Sequence, residues 1–374
     1  MNASLFDSLQ DRSVVICAGP GGVGKTTTAA AIAAGLAAGG QRVAVVTIDP
    51  ARRLADALGL EQLTNQPELV DGNRFAGAGL KINGELWAMT LDSRRTFDEL
   101  IETLSPDAQT RDQILGNRIY QQLSGAVAGT QEFTAIAKLY QLDRSGRFDV
   151  IVLDTPPSRN ALDFLDAPDR LTSFFDGRAL TLLLAPAGLA ARALGFGSGA
   201  ILGLLKRITG GELLEDLSVF FQALGSLIGG FRQRAEAVRT LLVDPRTTFV
   251  VITSPQRDSA EEAIFFVDKL RSAKMDFGAL IINRVHSIGA AGRPAPTLAS
   301  VASELSAQFE GPLAEKLLGS YSEALALAER DAATVERLRD ETGEIEPLLI
   351  PELTGDIDDV DGLVEIHDRL FAAA

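Results

Sequence analysis

Near the start of the chain, Gly19-Pro20-Gly21-Gly22-Val23-Gly24-Lys25-Thr26 has the residue types and spacing needed to hold phosphate. Glycines let backbone N–H groups converge on an anion, and a helix that starts where the loop ends adds its positive terminus. Lys25 offers a cation to the β- and γ-phosphates, and Thr26 offers a hydroxyl to a magnesium ion. Two carboxylates could serve the same phosphates. Asp49 follows the apolar run RVAVVTI at 42–48, and Asp154 closes the run that begins FDVIVL at 148–153. One carboxylate can hold a magnesium-bound water and the other can orient the attacking water, the two tasks that phosphoryl transfer sets. Each could instead be a turn residue, since Asp49 precedes Pro50 and Asp154 precedes Thr155-Pro156-Pro157.

The elements that must position these groups are legible around them. Residues 13–18 form a short apolar run that leads into the glycine loop. An Ala-rich helix is expected over 26–38, stopped by Gly39-Gly40. Further buried strands are expected at 42–48, 85–91, 148–153, 248–253, 278–282 and 346–350, with a helix over 259–274. Near-continuous apolar strands separated by helices predict an α/β fold: a mostly parallel, doubly wound sheet flanked by helices. In such sheets ligands lie beyond the carboxyl ends of the strands, where both aspartates fall. Two stretches do not read as sheet. Residues 93–143 are helical in pattern, with Phe97, Leu100, Ile101 and Leu104 on one face, and residues 169–242 are helical and more apolar. The expected organisation is therefore a nucleotide-binding domain from 1–92, 144–168 and 243–374, with a helical lobe inserted at 93–143 and 169–242. A loop rich in Gly, Ala and Pro is expected at 289–296.

Composition narrows the function. The 374 residues carry a net charge of -15, which argues against nucleic acid and anionic lipid as partners. The one cysteine, Cys17, makes no internal disulfide and no two-cysteine zinc motif, and its apolar neighbours suit a buried small hydrophobe. Residues 1–12 are mixed and polar with no secretory signal, so a cytoplasmic setting is expected.

Five motifs together resemble the arsenite-pump and tail-anchored-protein-targeting ATPases, within the group that includes the nitrogenase iron protein and the MinD and ParA positioning ATPases. They are the loop at 19–27, Asp49-Pro50-Ala51-Arg52-Arg53-Leu54-Ala55-Asp56, LWAM at 86–89, Asp154-Thr155-Pro156-Pro157-Ser158 and IINRV at 281–285. The closing Pro351-Glu352-Leu353 resembles that family's last nucleotide-contacting loop. The resemblance implies a P-loop ATPase that takes ATP with magnesium. Gly21, Gly22, Val23, Gly24, Lys25, Thr26 and Thr27 would bind the phosphates. Lys25, Asp49 and Asp154 would be catalytic, with Asp49 positioning water. Asp154 would hold magnesium through water, beside Thr26. Asn283 would read the adenine edge, unless it is a strand-end turn residue, and Pro351 would cover the base. Two chains would face each other as a homodimer.

Three departures stand out. Members of that family usually carry a lysine, which reaches the partner's nucleotide, where this chain has Pro20; Arg52 or Arg53 could substitute. The zinc-binding cysteine pair of the targeting ATPases is missing. So are the metalloid-binding cysteines of the arsenite pump, and there is no second ATPase half, which argues against arsenite transport.

From Glu212 onward Leu213, Leu217, Phe220, Leu224, Leu227 and Phe231 recur every three or four residues, widened by Leu214, Phe221 and Ile228. Upstream, apolar patches at 180–184 and 201–205 are broken by glycines and Pro186. The stripe can be lobe core, a groove for a hydrophobic client helix, or a transient membrane contact. Arg192 argues against a spanning helix. The favoured expectation is an ATPase that opens and closes the lobe to bind or target hydrophobic protein segments. Alternatives are a nucleotide-binding module without hydrolysis, which Asp49 and Asp154 argue against, a MinD- or ParA-like positioning ATPase, an arsenite-pump subunit, and a small-molecule kinase.

Overall fold

The computed structural model describes residues 5–49, 51–123, 130–155, 211–288, 295–309, 311–343, 345–353 and 359–371. Its centre is an eight-stranded sheet in the order β3-β4-β2-β5-β1-β6-β7-β8. The strands are β1 (Val14–Ala18), β2 (Arg42–Thr47), β3 (Glu68–Leu69), β4 (Glu85–Thr90), β5 (Val150–Asp154), β6 (Thr247–Thr253), β7 (Phe277–Val285) and β8 (Leu348–Pro351). All neighbours run parallel except β3, a two-residue edge strand antiparallel to β4 that the sequence pattern did not reveal. The predicted α/β class holds, and each predicted strand is present with ends shifted by a few residues.

Side chains alternate across a strand, so a sheet covered on both faces sends successive residues into two cores. Val14, Ile16 and Ala18 enter one core, and Val15 and Cys17 enter the other. Ala44 and Val46 split from Val43 and Val45 in the same way, as do Phe249 and Val251 from Val250 and Ile252. The second core is covered by α2 (Lys25–Ala38), α3 (Arg53–Ala57) and the C-terminal helix α13 (Val360–Phe371). Small side chains let α2 lie close under its neighbours; a Cβ on Gly35 would collide with the ring of Phe371.

The first core is covered by α5 (Ser93–Leu104), α8 (Thr130–Arg144), α9 (Gly211–Leu242), α10 (Arg257–Ser272) and the end of α12 (Pro312–Thr342). Between them lie α6 (Ala108–Leu115), α7 (Arg118–Leu123) and, before α12, α11 (Leu298–Gln308); α1 (Leu5–Leu9) and α4 (Asn73–Ala76) are short. Leu100 and Ile101 are buried, and Phe97 and Leu104 pack against the same core, as their spacing predicts.

The spacing of the α9 stripe leaves core, groove and membrane contact open, and its described part falls in the core. Phe220, Leu224, Leu227 and Phe231 are buried, the last two completely, and Ile228 packs beside them. The Phe97 ring lies stacked between Tyr120 and Phe231, with centroids 6.3 and 5.6 Å away. This part of the stripe is core, not an open groove. It buries because α5 and α7 already lie across it. The side chains of Leu213, Leu214, Leu217 and Phe221 lie outside the described residues, as do 180–184, 201–205 and most of the loop at 289–296. Among the described residues, no helix is long and apolar enough to cross a membrane.

Candidate active site

The phosphate loop leaves β1 at the middle of the sheet, between β5 and β6. Gly19 must be glycine, because a Cβ there would run into the Ile252 carbonyl on the next strand. Gly24 has φ of 87°, and a Cβ there would strike the side-chain amide of Asn283. Lys25 and Thr26 open α2, and both side chains are buried. The Lys25 ammonium donates to the Pro20 carbonyl at 2.7 Å, curling back over the loop. Burial lowers the pKa of Lys25, while the negative charges of Asp154, Asp49 and Glu262 oppose that shift. A buried cation whose hydrogen-bond partner is a single loop carbonyl is ready to exchange it for phosphate. Gly21 and Gly22 are exposed on the loop, Val23 is buried beneath it, and Thr27 lies in the first turn of α2.

Strand register places Asp154 level with Cys17 on β1 and with Thr47 on β2. Its Oδ2 accepts from the hydroxyls of Thr26 at 2.7 Å and Thr47 at 2.8 Å. Its Oδ1 is buried with no partner. Burial pushes the carboxyl up to about 6, while the hydroxyls of Thr26 and Thr47 and the Lys25 charge pull it down. An orphaned buried carboxylate oxygen beside a threonine hydroxyl fits a hard divalent cation or its bound water. Among the described residues no group of three or more His, Cys, Asp or Glu could hold a metal alone. A cation here would therefore need ligands from nucleotide and water, the usual manner of magnesium.

Asp49, just past β2, is part-exposed. Its Oδ1 accepts from the Ala51 N–H at 2.9 Å, and its Oδ2 lies 3.5 Å from Nη1 of Arg53. Its own N–H donates to the Thr47 hydroxyl at 3.2 Å, which links the two aspartates through one side chain.

Asn283, on β7, is buried under the phosphate loop, where its Nδ2 donates to the Val23 carbonyl at 2.9 Å. Its Oδ1 accepts from the Arg284 N–H, and Arg284 takes a positive φ of 62°. Pro351 closes β8 opposite Val285, and the following Glu352 N–H donates to the Val285 carbonyl. The structure thus brings Lys25, Thr26, Asp49 and Asp154 together and sets Asn283 against the loop. Pro156, Pro157 and Ser158 lie outside the described residues.

Two supporting residues escaped sequence reasoning. Thr47 binds both aspartates' neighbourhood, and Thr155 donates its hydroxyl to the Cys17 carbonyl at 2.8 Å, pinning the chain as it leaves β5. A threonine two residues before a strand-end Asp was the available signal for Thr47.

Residues 12–290 match the family model described as Anion-transporting ATPase. The chain is 30% identical over 275 residues to ATPase get3 of Aspergillus terreus, covering 72% of each chain. It is 29% identical over 270 residues to ATPase GET3 of Mycosarcoma maydis, covering 71% of this chain and 70% of that one. It is 27% identical over 283 residues to the ATPase ASNA1 homolog of Cryptosporidium parvum, covering 75% and 67%. The chain belongs to the anion-transporting ATPase family; it binds nucleotide and hydrolyses ATP.

Proposed function

We propose that this ATPase is a magnesium-dependent, cytoplasmic homodimer that uses ATP binding and hydrolysis to move its helical lobe, and that the lobe binds or targets hydrophobic, membrane-protein-like segments. Thr26 and Asp154 would hold the magnesium ion, which when bound neutralises phosphate charge. Lys25 would leave the Pro20 carbonyl for the β- and γ-phosphates. Asp49 would orient the attacking water. Asn283 has a second amide proton, beyond the one given to Val23, to offer the adenine edge, and Pro351 would flank the base. The lobe would comprise 93–143 and 169–242, hung on a nucleotide-binding domain made of 1–92, 144–168 and 243–374.

One observation carries this reading. The segment between α3 and β4 is tied to the lobe by a polar network at the strand ends. Asn65 Oδ1 accepts from the Asp92 N–H at 3.0 Å, at the very start of α5, and from the Thr96 hydroxyl at 3.3 Å. Asn65 Nδ2 donates to Glu99, whose other oxygen pairs with the buried Lys138 of α8 at 2.9 Å. Gln62 and Leu63 line a cavity of about 230 Å³ whose other wall is α3 and Arg52. A shift of Asp49 and α3 toward phosphate would alter that wall, and the network would carry the change to α5 and α8.

A fluorescent peptide with an apolar segment of about 20 residues tests the reading. Its anisotropy should rise with the ATP-bound Asp49→Asn protein and fall with ADP, while sedimentation follows the dimer. Equal binding of an apolar and a scrambled polar peptide, in every nucleotide state, would defeat the client proposal.

A further inference from the structure

Asp49 is accompanied at the end of β2 by a guanidinium that does little for the fold. Arg53 is the first residue of α3, and its side chain is 66% exposed where that of Asp49 is 17% exposed. A pair this solvated adds little to stability, so stability is a poor reason for holding it. Its partner Asp49 stands at the phosphate site: the Asp49 N–H donates to the Thr47 hydroxyl, which donates to Asp154, which also accepts from Thr26. Burial is the main depressant of the Lys25 pKa, and the positive charge of Arg53 adds to it. The phosphate site needs cations. Asp49, Asp154 and Glu262 all act on Lys25, ATP would bring several more negative charges, and position 20 presents only a carbonyl.

We propose that Arg53 is a catalytic residue acting in cis: it holds Asp49 while the site lacks ATP and, on ATP binding, passes its guanidinium to the terminal phosphoryl group of the same chain. In the step served, the water oxygen bonds to the γ-phosphorus as the bond from that phosphorus to the β,γ-bridging oxygen breaks. The bonding electron pair leaves with ADP, and the water's protons end on the released phosphate. Negative charge gathers on the oxygens of the transferring group, and a planar, five-donor cation can grip two of them at once. The same departure frees Asp49 Oδ2 to accept from the water. One exchange of partners would thus supply the cation and release the water-orienting carboxylate.

This role rests on the phosphate-site reading, so the experiment measures the two separately. Full-length wild type, Arg53→Ala, Arg53→Lys and Lys25→Ala proteins are compared for phosphate release and for calorimetric binding of magnesium-ADP with and without aluminium fluoride. For Arg53→Ala, kcat should fall about 10³-fold or more with KM changed less than about threefold, given the usual worth of such an arginine. ADP affinity should stay, while the affinity gained from aluminium fluoride should vanish. Arg53→Lys should recover part of both. Arg53→Ala and Lys25→Ala chains, differently tagged, co-expressed and purified as one mixed dimer, should show no recovery of turnover. Normal kcat in Arg53→Ala, or an intact aluminium fluoride effect, would overturn the proposal. Recovery in the mixed dimer would overturn the action in cis, because the intact arginine would then serve its partner's nucleotide. Unchanged ADP affinity in Lys25→Ala would count against the phosphate-site reading instead.

Discussion

The strand ends of β1, β2 and β5 and the apolar face of α9 are both built from conspicuous sequence patterns, yet they differ in how far those patterns determine their use. At the strand ends, the backbone leaves few choices. A parallel sheet directs its carboxyl ends to one crevice, so a glycine loop after β1 and aspartates at the ends of β2 and β5 must meet. On α9, periodicity says which residues share a face but not what covers it. Core and groove give the same spacing, and only the presence of Phe97 and Tyr120 across Phe220 and Phe231 decides for core in the described part. Polar groups in a buried crevice carry functional meaning because their burial is costly. Apolar groups on a helix do not, because burial is their default.

The sharpest way to break this comparison is at the loop. Lys25→Ala removes the buried cation that curls back onto the Pro20 carbonyl of the loop. Phosphate release should drop by about 10⁴-fold or more, to background, with weaker triphosphate binding. Near-normal turnover would mean the loop is not the catalytic centre. The aspartates come next, and they should separate. Asp49→Asn keeps the Ala51 cap but loses a full negative charge facing water, so hydrolysis should fall about 10³-fold with ATP and magnesium still bound. Asp154→Asn should instead raise the magnesium concentration needed for half-maximal rate, about tenfold. A magnesium titration of both variants checks this, and exchanged phenotypes would reverse the two roles.

The helix face yields a stability effect. Phe231→Ala empties a fully buried ring site packed on Phe97 of α5. It should cost about 3–4 kcal/mol in denaturant unfolding, while the KM for ATP stays unchanged. A cost below about 1 kcal/mol, in the range of a surface substitution, would reopen the groove reading for this part of α9.

The same contrast explains what was legible. The strands, the phosphate loop and both aspartates could be read because each is local: an apolar run, then a polar end. Thr47 could not be assigned to Asp154, because they are 107 residues apart and only β2–β5 register makes them neighbours. Asn283 was noticed as a strand end, yet its contact with Val23 spans 260 residues and lies beneath the loop. The two-residue β3 has too little sequence to show a period. The 31-residue α12 was missed because its first half has no buried residue, so no apolar stripe marked it.

Asp331 supports the smallest prediction and tests whether a buried polar group away from the crevice follows the same logic. It lies in α12, its side chain is fully buried, and its Oδ2 accepts both the N–H of His286 at 2.9 Å and the imidazole Nδ1 at 2.8 Å. Its Oδ1 accepts from Arg330 at 2.8 Å. Burial alone would raise its pKa, but the His286 N–H, Arg330 and the imidazole outweigh it, and the net shift is downward from 3.8. A carboxylate with a depressed folded-state pKa contributes stability that is present above the unfolded pKa and lost as pH falls through the folded one. The contribution should therefore be full near pH 7 and disappear only below about pH 4. His286 follows β7 by one residue and Asn283 by three, so the contact anchors the strand end that underlies the phosphate loop. Asp331→Asn keeps the shape and removes the charge; it should cost about 1–2 kcal/mol at pH 7, with the difference from wild type shrinking as pH drops through 4. Melting curves of both proteins from pH 7 to 3.5 check this. A penalty that stays constant down to pH 3.5 would show that shape, not charge, holds α12 to β7, and would set this buried aspartate apart from the pair at the strand ends.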